Sequence, residues 1–366
     1  MLIGIDASRT NVQYQTGTET YSQKLIEHLA LLDKDNQYVL YTNQPPKGGI
    51  KVGSNFCWKT MPFPKLWSVM RLSWEMVRKP PDLLFVPAHI IPLIHPRYSV
   101  VTVHDLGFIH FPKLYSTKEV LYHRWAMKFS VTHAKSIITV SQYSKEDLTK
   151  NYHLPKNKIN VIYHGVDRDV FFPATQSPPL DIKNLQPYIF YLGRLEEKKN
   201  ILGLLAAYRL LRKEQKIKHK LILTGQPGFG FEKIQAQINK YPSSIRKDII
   251  LTGYQEAEKT AQYLRYADIF FFPSFFEGFG MPVLEAMACG VPVVASNVTS
   301  LPEIVGKAGV LVDPNNTLEM AGALSKIVSK PELKKELIDK GLVRSKMFDW
   351  EKTAEKTLDV FQRVVL

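Results

Sequence analysis

Residues 273–296 read Pro273-Ser274-Phe275-Phe276-Glu277-Gly278-Phe279-Gly280-Met281-Pro282-Val283-Leu284-Glu285-Ala286-Met287-Ala288-Cys289-Gly290-Val291-Pro292-Val293-Val294-Ala295-Ser296, and they decide the fold. The apolar run 269–272 leads in as a strand, and a glycine loop, a helix and a second strand follow. Gly278 and Gly280 let backbone approach a ligand closely. A helix opening near Met281, with Pro282 in its first turn, points amide groups at that ligand, and Gly290 ends the helix. Glu277 falls in the loop and Glu285 on the first turns of the helix. Ionised carboxylates so placed suit sugar hydroxyls, which offer the donors a carboxylate accepts. Taken alone, Glu285 reads equally well as a solvated helix residue; the glycine-bracketed context favours a ligand.

Outward from this stretch, β-branched or aromatic runs alternate with amphipathic segments, the pattern of parallel sheets crossed by helices. One series of strands is expected at 2–5, 38–41, 83–86, 100–103, 137–140 and 159–162. A second is expected at 188–192, 220–224, 249–251, 269–272, 292–295 and 310–312. Between them lies a proline-rich stretch from Phe172-Pro173 through Ser177-Pro178-Pro179 to Pro187, which neither a helix nor a central strand tolerates. The expected organisation is an α/β chain of two Rossmann-like domains, 1–175 and 176–345, with a C-terminal helix, 346–366, packing back on the first.

The whole chain has 366 residues, 45% of them hydrophobic and 22% charged, enough apolar surface for two cores and unlike a disordered or fibrous protein. Two cysteines, Cys57 and Cys289, exclude a disulfide framework and a multi-cysteine metal site and suit a reducing compartment. The N-terminus reads as a first strand rather than a signal peptide, and the apolar segment 83–94 is cut by Pro87 and Pro92 short of a membrane span. Lys and Arg number 48 against 34 Asp and Glu, a net charge of +14 that favours an anionic partner.

A second signal is Tyr188-Ile189-Phe190-Tyr191-Leu192-Gly193-Arg194-Leu195-Glu196-Glu197-Lys198-Lys199-Asn200, a strand, a basic loop and the start of a helix. Arg194 and Lys199 emerge at the carboxyl edge of that strand, where open α/β sheets bind ligands, and can neutralise a diphosphate. Lys198 reads as a solvated charge.

Together, the Glu277-to-Glu285 segment and the Gly193-Arg194…Lys199 loop resemble the retaining, nucleotide-sugar-dependent glycosyltransferases of family 4, over most of the chain. The N-terminal half resembles the bacterial mannosyltransferases among them. The resemblance implies the GT-B fold, two Rossmann-like domains with parallel sheets facing across a cleft. It implies that Arg194 and Lys199 hold the donor diphosphate, that Glu277 contacts the transferred sugar and that Glu285 contacts the nucleotide ribose. It places the backbone amides of Phe279, Gly280 and Met281 on the sugar and the Gly253–Tyr254 loop on the base. In the first half, Thr16-Gly17-Thr18 resembles the family's glycine-rich first loop, with Thr16 in place of its first glycine, so that only Gly17 keeps the phosphate contact. Val101-Thr102-Val103-His104-Asp105 resembles the strand end whose histidine, here His104, lies beside the transferred sugar.

The same resemblance implies front-face transfer without a protein nucleophile, in which Arg194, Lys199 and the helix N-terminus replace a metal. Two Asp-x-Asp triplets, Asp33-Lys34-Asp35 and Asp167-Arg168-Asp169, could hold a divalent cation. Each carries a basic residue at its centre that opposes one, so no metal and no other cofactor is expected.

Trp67, Met70, Arg71, Trp74 and Arg78 recur at helical spacing, preceded by Trp58, Lys59, Phe63 and Lys65. An apolar face flanked by cations suits an anionic membrane surface, and it suits core packing as well. Lys113–Lys135 and Arg209–Lys220 are further basic stretches, the latter read as a solvated helix end.

The expected activity is transfer of a hexose, with GDP-mannose ahead of UDP-glucose as donor, to a saccharide or lipid-linked acceptor in surface-polysaccharide or glycolipid synthesis. The expected location is cytoplasmic, peripheral at the inner face of the membrane. A nucleotide-sugar 2-epimerase shares the fold but should lack the Glu277-to-Glu285 pattern. A nucleic-acid-binding protein has only the positive charge in its favour and no base-stacking or groove-reading motif.

Overall fold

In the computed structural model the described residues are 1–10, 16–46, 49–63, 66–88, 90–214 and 217–366. They divide into two compact units, Met1–Gly165 with Asp349–Leu366, and Val166–Phe348.

The first unit is built on strands β1 (Leu2–Asp6), β2 (Gln37–Thr42), β3 (Phe56–Thr60), β4 (Leu83–Val86), β5 (Tyr98–Val103), β6 (Ser136–Thr139) and β7 (Ile159–Val161). They form a parallel sheet in the order β3-β2-β1-β4-β5-β6-β7. Every residue of β4 is buried, as expected of a strand covered on both faces by helices. The strand missing from the sequence reading is β3, which lies at the sheet edge with Phe56 buried and Cys57 exposed. An edge strand needs only one apolar side, so no continuous run announces it.

The second unit carries β8 (Tyr188–Leu192), β9 (Lys220–Thr224), β10 (Ile249–Gly253), β11 (Ile269–Phe272), β12 (Val293–Ser296) and β13 (Gly309–Val312). Their order is β10-β9-β8-β11-β12-β13, again all parallel. Central β11 is Ile-Phe-Phe-Phe and wholly buried, with Phe270 stacked near Phe272 and Phe272 against Tyr191 of β8.

In each sheet the order reverses at the first strand, between β1 and β4 and between β8 and β11. The carboxyl ends of those strand pairs are the topological switch points at which open α/β sheets take ligands.

The chain passes to the second unit at Val166, before the proline-rich stretch rather than at residue 176. Already at 166–172 it is tied to second-unit residues: Val166 N donates to Phe348 O at 3.4 Å, Arg168 reaches the carbonyls of Ser345 and Phe348, and Arg265 Nε reaches that of Phe172. The prolines mark where regular structure stops, whereas these hydrogen bonds set the border. At the other end, Asp349 caps the helix Trp350–Val365, which packs against the helix Gly17–Leu32 of the first unit. Trp350 is buried there, its ring 5.7 Å from His164, and a Cβ on Gly165 would stand 2.2 Å from Trp350 N, so glycine is required at that crossing. No helix among the described residues is long and apolar enough to cross a membrane.

Candidate active site

The second unit's switch point gathers the two signal sequences. The loop leaving β8 carries Arg194 and Lys199, and the loop leaving β11 carries Glu277. Lys199 Nζ and Glu277 Oε1 meet at 2.6 Å, both side chains mostly buried. A lysine ammonium has three donors, so one can serve Glu277 while others face a ligand. Lys199 also stands over the Phe272 ring, 5.8 Å from its centroid. Arg194 is the outward member: its side chain is 58% exposed and lies 3.9 Å from Glu196.

Lys198 is not the solvated charge expected from the sequence. Its side chain is largely covered and 3.8 Å from Glu196, and its carbonyl accepts Phe275 N at 2.9 Å, which stitches the two loops together. Asn200 completes the joint from a left-handed conformation, with its Nδ2 donating to Pro314 O at 2.7 Å.

Residues after β12, passed over in the sequence, hold the Glu277 loop in place. Thr299 Oγ1 accepts Glu277 N at 3.2 Å, and Ser300 Oγ bonds the carbonyls of Glu277 and Phe279 at 3.0 and 2.9 Å. Thr299 does this at φ 57°, a left-handed conformation that strains a β-branched residue and that concentrates at functional sites. The only sequence signal was a Thr-Ser pair a few residues past a strand, which is commonplace.

Gly280, at φ +102°, starts the helix Met281–Ala288, and a Cβ there would lie 2.6 Å from Leu301. At this helix start Pro282 has no N–H and Val283 N donates to Gly280 O at 3.0 Å, so what the first turn offers a ligand is the Met281 amide and the positive end of the helix dipole. The Phe279 side chain is core, edge-on to Phe348 at 6.0 Å, so only its backbone can serve a ligand. Glu285 lies one turn into this helix. Burial, reinforced by the negative charge of Asp167, pushes its carboxyl up to about 8, so it carries a proton at neutral pH. The expectation of a resting ionised carboxylate is corrected on that point. Gly253 ends β10 at φ +69° with open space around its Cβ direction, and Tyr254 follows it half-buried.

The first unit's expected residues lie at the carboxyl edge of its own sheet. His104 follows β5, is nearly buried, and sets its Nε2 2.8 Å from the carbonyl of Pro87, just beyond β4. That geometry puts a proton on Nε2, and burial keeps the pKa below the usual imidazole value, so the ring is neutral. Tyr21, from the helix Gly17–Leu32, meets it edge-on at 4.9 Å. Gly17 is the first residue of that helix. Thr16, which departs from the family's glycine, is the N-cap and forms a capping box with Glu19. Threonine satisfies helix-end donors that a glycine would leave to solvent.

The Asp-x-Asp triplets are engaged internally. Asp33 takes Asp35 N, Asn36 and the Tyr38 hydroxyl at 3.0, 2.7 and 2.5 Å, closing the turn before β2. Asp167 accepts Asp169 N at 3.1 Å, and the Arg168 between them turns to the carbonyls of Ser345 and Phe348. No group of three or more His, Cys, Asp or Glu suited to a metal ion occurs among the described residues.

The tryptophan stripe divides. Trp67 is buried and donates its indole N–H to Met61 O at 2.7 Å, which removes it from the surface expected for it. Trp74 is 58% exposed, with Leu66, Met70 and Val77 exposed beside it and Arg78 at the helix end. Arg71 is held by Glu75 at 3.4 Å, and Lys59 by the same carboxylate. Trp58 lies in β3, paired with Leu40, and Lys65 lies outside the described residues.

Two parallel Rossmann-like sheets, of seven and six strands, with cations and carboxylates at a switch point of the second, define the GT-B architecture. Family models match both halves: "Glycosyltransferase Family 4" over residues 16–170 and "Glycosyl transferases group 1" over 174–344. The O-antigen chain mannosyltransferase B of Escherichia coli is 34% identical over 268 residues, 72% of this chain and 70% of that protein. The serotype-specific mannosyltransferase WbdA of Escherichia coli is 28% identical over 283 residues, and the match covers 75% of this chain but 33% of WbdA. Among solved structures, sucrose-phosphate synthase from Thermosynechococcus elongatus superposes with a TM-score of 0.79 at 20% identity, over 100% of this chain and 99% of that one. The chain belongs to the family 4 glycosyltransferases.

Proposed function

We propose that this glycosyltransferase moves a hexose, mannose from GDP-mannose by preference, with retention of configuration and without a metal, to a saccharide or lipid-linked acceptor. The observation that carries the reading is the Lys199–Glu277 pair at the start of the Gly280–Met281 helix turn. It sets a cation where a leaving diphosphate gains charge, beside a carboxylate able to accept sugar hydroxyls. Arg194, exposed at the rim, supplies the second charge for the diphosphate, and the helix N-terminus the third.

In the reaction the bond from C1 to the diphosphate oxygen breaks while the acceptor oxygen bonds C1 on the same face, and the acceptor proton passes to the leaving diphosphate. His104, neutral and fixed by Pro87, is assigned a place beside the transferred sugar, and Gly17 one at the donor phosphate. Gly253 and Tyr254 are assigned to the base, and Glu285 to the ribose. The choice of mannose rests on the likeness to the O-antigen mannosyltransferase. The exposed Trp74 patch with Arg78 is assigned to an anionic membrane face on the cytoplasmic side, which would bring a lipid-linked acceptor to the enzyme.

The deciding experiment incubates the purified chain with GDP-mannose and with UDP-glucose, with and without EDTA, and reads the anomeric configuration of the product by NMR. Retained configuration and undiminished rates in EDTA are expected, with GDP-mannose the faster donor. An inverted product, or activity that returns only with magnesium or manganese, refutes the mechanism; faster turnover of UDP-glucose refutes the donor.

A further inference from the structure

The helix Thr117–His133 carries a stripe of rings that its core uses only in part. Its buried side is Ala126, Met127, Ser130 and Val131. Alongside, at helical spacing, come Tyr122, Trp125, Phe129 and His133, with successive ring centroids 6.1, 6.0 and 4.2 Å apart. Trp125 is 48% exposed and His133 is exposed, whereas Tyr122 is half-buried and Phe129 packs partly against the core, so the stripe runs along the border between core and solvent. A stripe of aromatic residues at this spacing ordinarily marks a buried face, and here Trp125 and His133 are left outside it.

The stripe leads to a cavity. His123 lies 5.7 Å from Tyr122 and also 5.7 Å from both Phe108 and Tyr115. His123, Phe108 and Tyr115, with Ile90, Asp105 and Met127, line a small opening in the first unit. Asp105 directly follows His104 at the end of β5. An unbroken path of ring contacts therefore runs from a carboxylate-bearing cavity next to His104 along the outside of one helix.

We propose that this path binds the acceptor as an extended saccharide, its terminal sugar in the Asp105 cavity and the preceding sugars on Tyr122, Trp125, Phe129 and His133. The proposal rests on the saccharide-acceptor reading above. Flat ring faces match the C–H faces of pyranoses, with large contact area and little side-chain entropy to lose. Asp105 at the head of the path accepts hydroxyl donors and would repel the phosphodiester of a nucleic acid, despite Lys118, Arg124 and Lys128 nearby in sequence. The four rings lie against one another, with Tyr122 and Phe129 half-buried, whereas no ring neighbours Trp74 among the described residues, which favours a chain of sugars over a bilayer.

The test uses the full chain and α-linked manno-oligosaccharides of increasing length, with KM read at each length and binding of the longest one read by calorimetry without donor. In the unaltered chain KM falls with length. In Trp125→Ala and Phe129→Ala the ratio of long-acceptor to short-acceptor KM collapses, with about a tenfold loss of affinity for the longest per ring removed. Trp125→Phe keeps most of the dependence, and thermal melting checks that each variant folds. Equal length dependence in all variants overturns the proposal, as does failure of the unaltered chain to bind the oligosaccharides. Loss of binding to anionic vesicles or to a single-stranded oligonucleotide in Trp125→Ala, with the KM ratio intact, assigns the surface elsewhere and also overturns it. Absence of any nucleotide-sugar turnover, hydrolysis included, counts against the donor reading instead, and calorimetry still decides the ladder.

Discussion

The carboxyl edges of the two sheets are furnished on different plans. At the edge of β8 and β11, charge meets charge: Lys199 on Glu277, and Arg194 and Lys198 around Glu196. At the edge of β4 and β5, a neutral histidine bonds a carbonyl and packs against Tyr21. A pyrophosphate needs cations held in advance, because their orientation is then not charged to the reaction step. A hydroxyl acceptor and an uncharged sugar need shape and single hydrogen bonds. Under the function proposed above, the difference in furniture would separate a side for the charged donor from a side where the only charge beside His104 along β5 is the Asp105 carboxylate, and the assignment can be broken by mutation.

The largest effect is expected from Lys199→Ala. It removes a preorganised charge and leaves the mostly buried Glu277 uncompensated, so kcat should fall about a hundred- to a thousandfold. Arg194→Ala, at an exposed position, should act more on the donor KM. His104→Ala removes one neutral hydrogen bond and should cost less in kcat than Lys199→Ala. Steady-state kinetics on the three variants decides the matter: a histidine variant as impaired as the lysine variant erases the distinction between the edges.

The same contrast explains what the sequence made legible. The glycine loop and its glutamates sit within one short segment, and the alternating strands fall where apolar runs had placed them, because central parallel strands are buried on both faces. Residues that pair across the chain were not legible as partners. Lys199 and Glu277 are separated by 78 positions, and nothing local to either announces the contact. Thr299 was invisible for a different reason: its left-handed conformation accompanies hydrogen bonds with Glu277 and Val298, against the preference of a β-branched side chain. Trp67 and Trp74 looked alike at helical spacing, and only the neighbouring Met61 carbonyl and the sheet behind it separate a core residue from a surface one.

A smaller, sharper effect concerns Glu285. Its carboxyl is pushed up to about 8, chiefly by burial and then by Asp167, so the folded protein holds a proton there that the unfolded chain releases near 4.5. Stability from this group is therefore fully present below about pH 4.5 and is lost as pH rises through about 8, and Glu285→Gln should flatten that decline. Ribose hydroxyls donating to the carboxylate favour its charged form, so GDP binding at pH 7 should expel protons from the unaltered chain and none from Glu285→Gln. Calorimetry in buffers of different ionisation enthalpy reads this directly. Binding without proton release would mean that the protonated carboxyl donates to the ligand or does not touch it, and the charged plan of the second edge would then stop at Glu277.

The smallest effect is expected farthest from either sheet edge, at the surface patch of the first unit. Trp74, Met70 and Leu66 are exposed while Trp67 is core, so the apolar area offered to a bilayer is narrower than the tryptophan spacing implied. Of the stripe's two arginines, Arg71 already answers to Glu75, which leaves Arg78 as the arginine for lipid headgroups. Attraction of this kind is worth about 1 kcal/mol per basic residue near an anionic leaflet and fades within a Debye length. Co-sedimentation with anionic liposomes at low salt should therefore weaken more for Trp74→Ser than for Arg78→Gln, and hardly at all for Arg71→Gln. Equal losses for both arginine variants would show that the Glu75 pair opens at the membrane. Binding that survives Trp74→Ser at low salt would take the patch out of the function altogether and leave the aromatic ladder of Thr117–His133 as the first unit's exposed recognition surface.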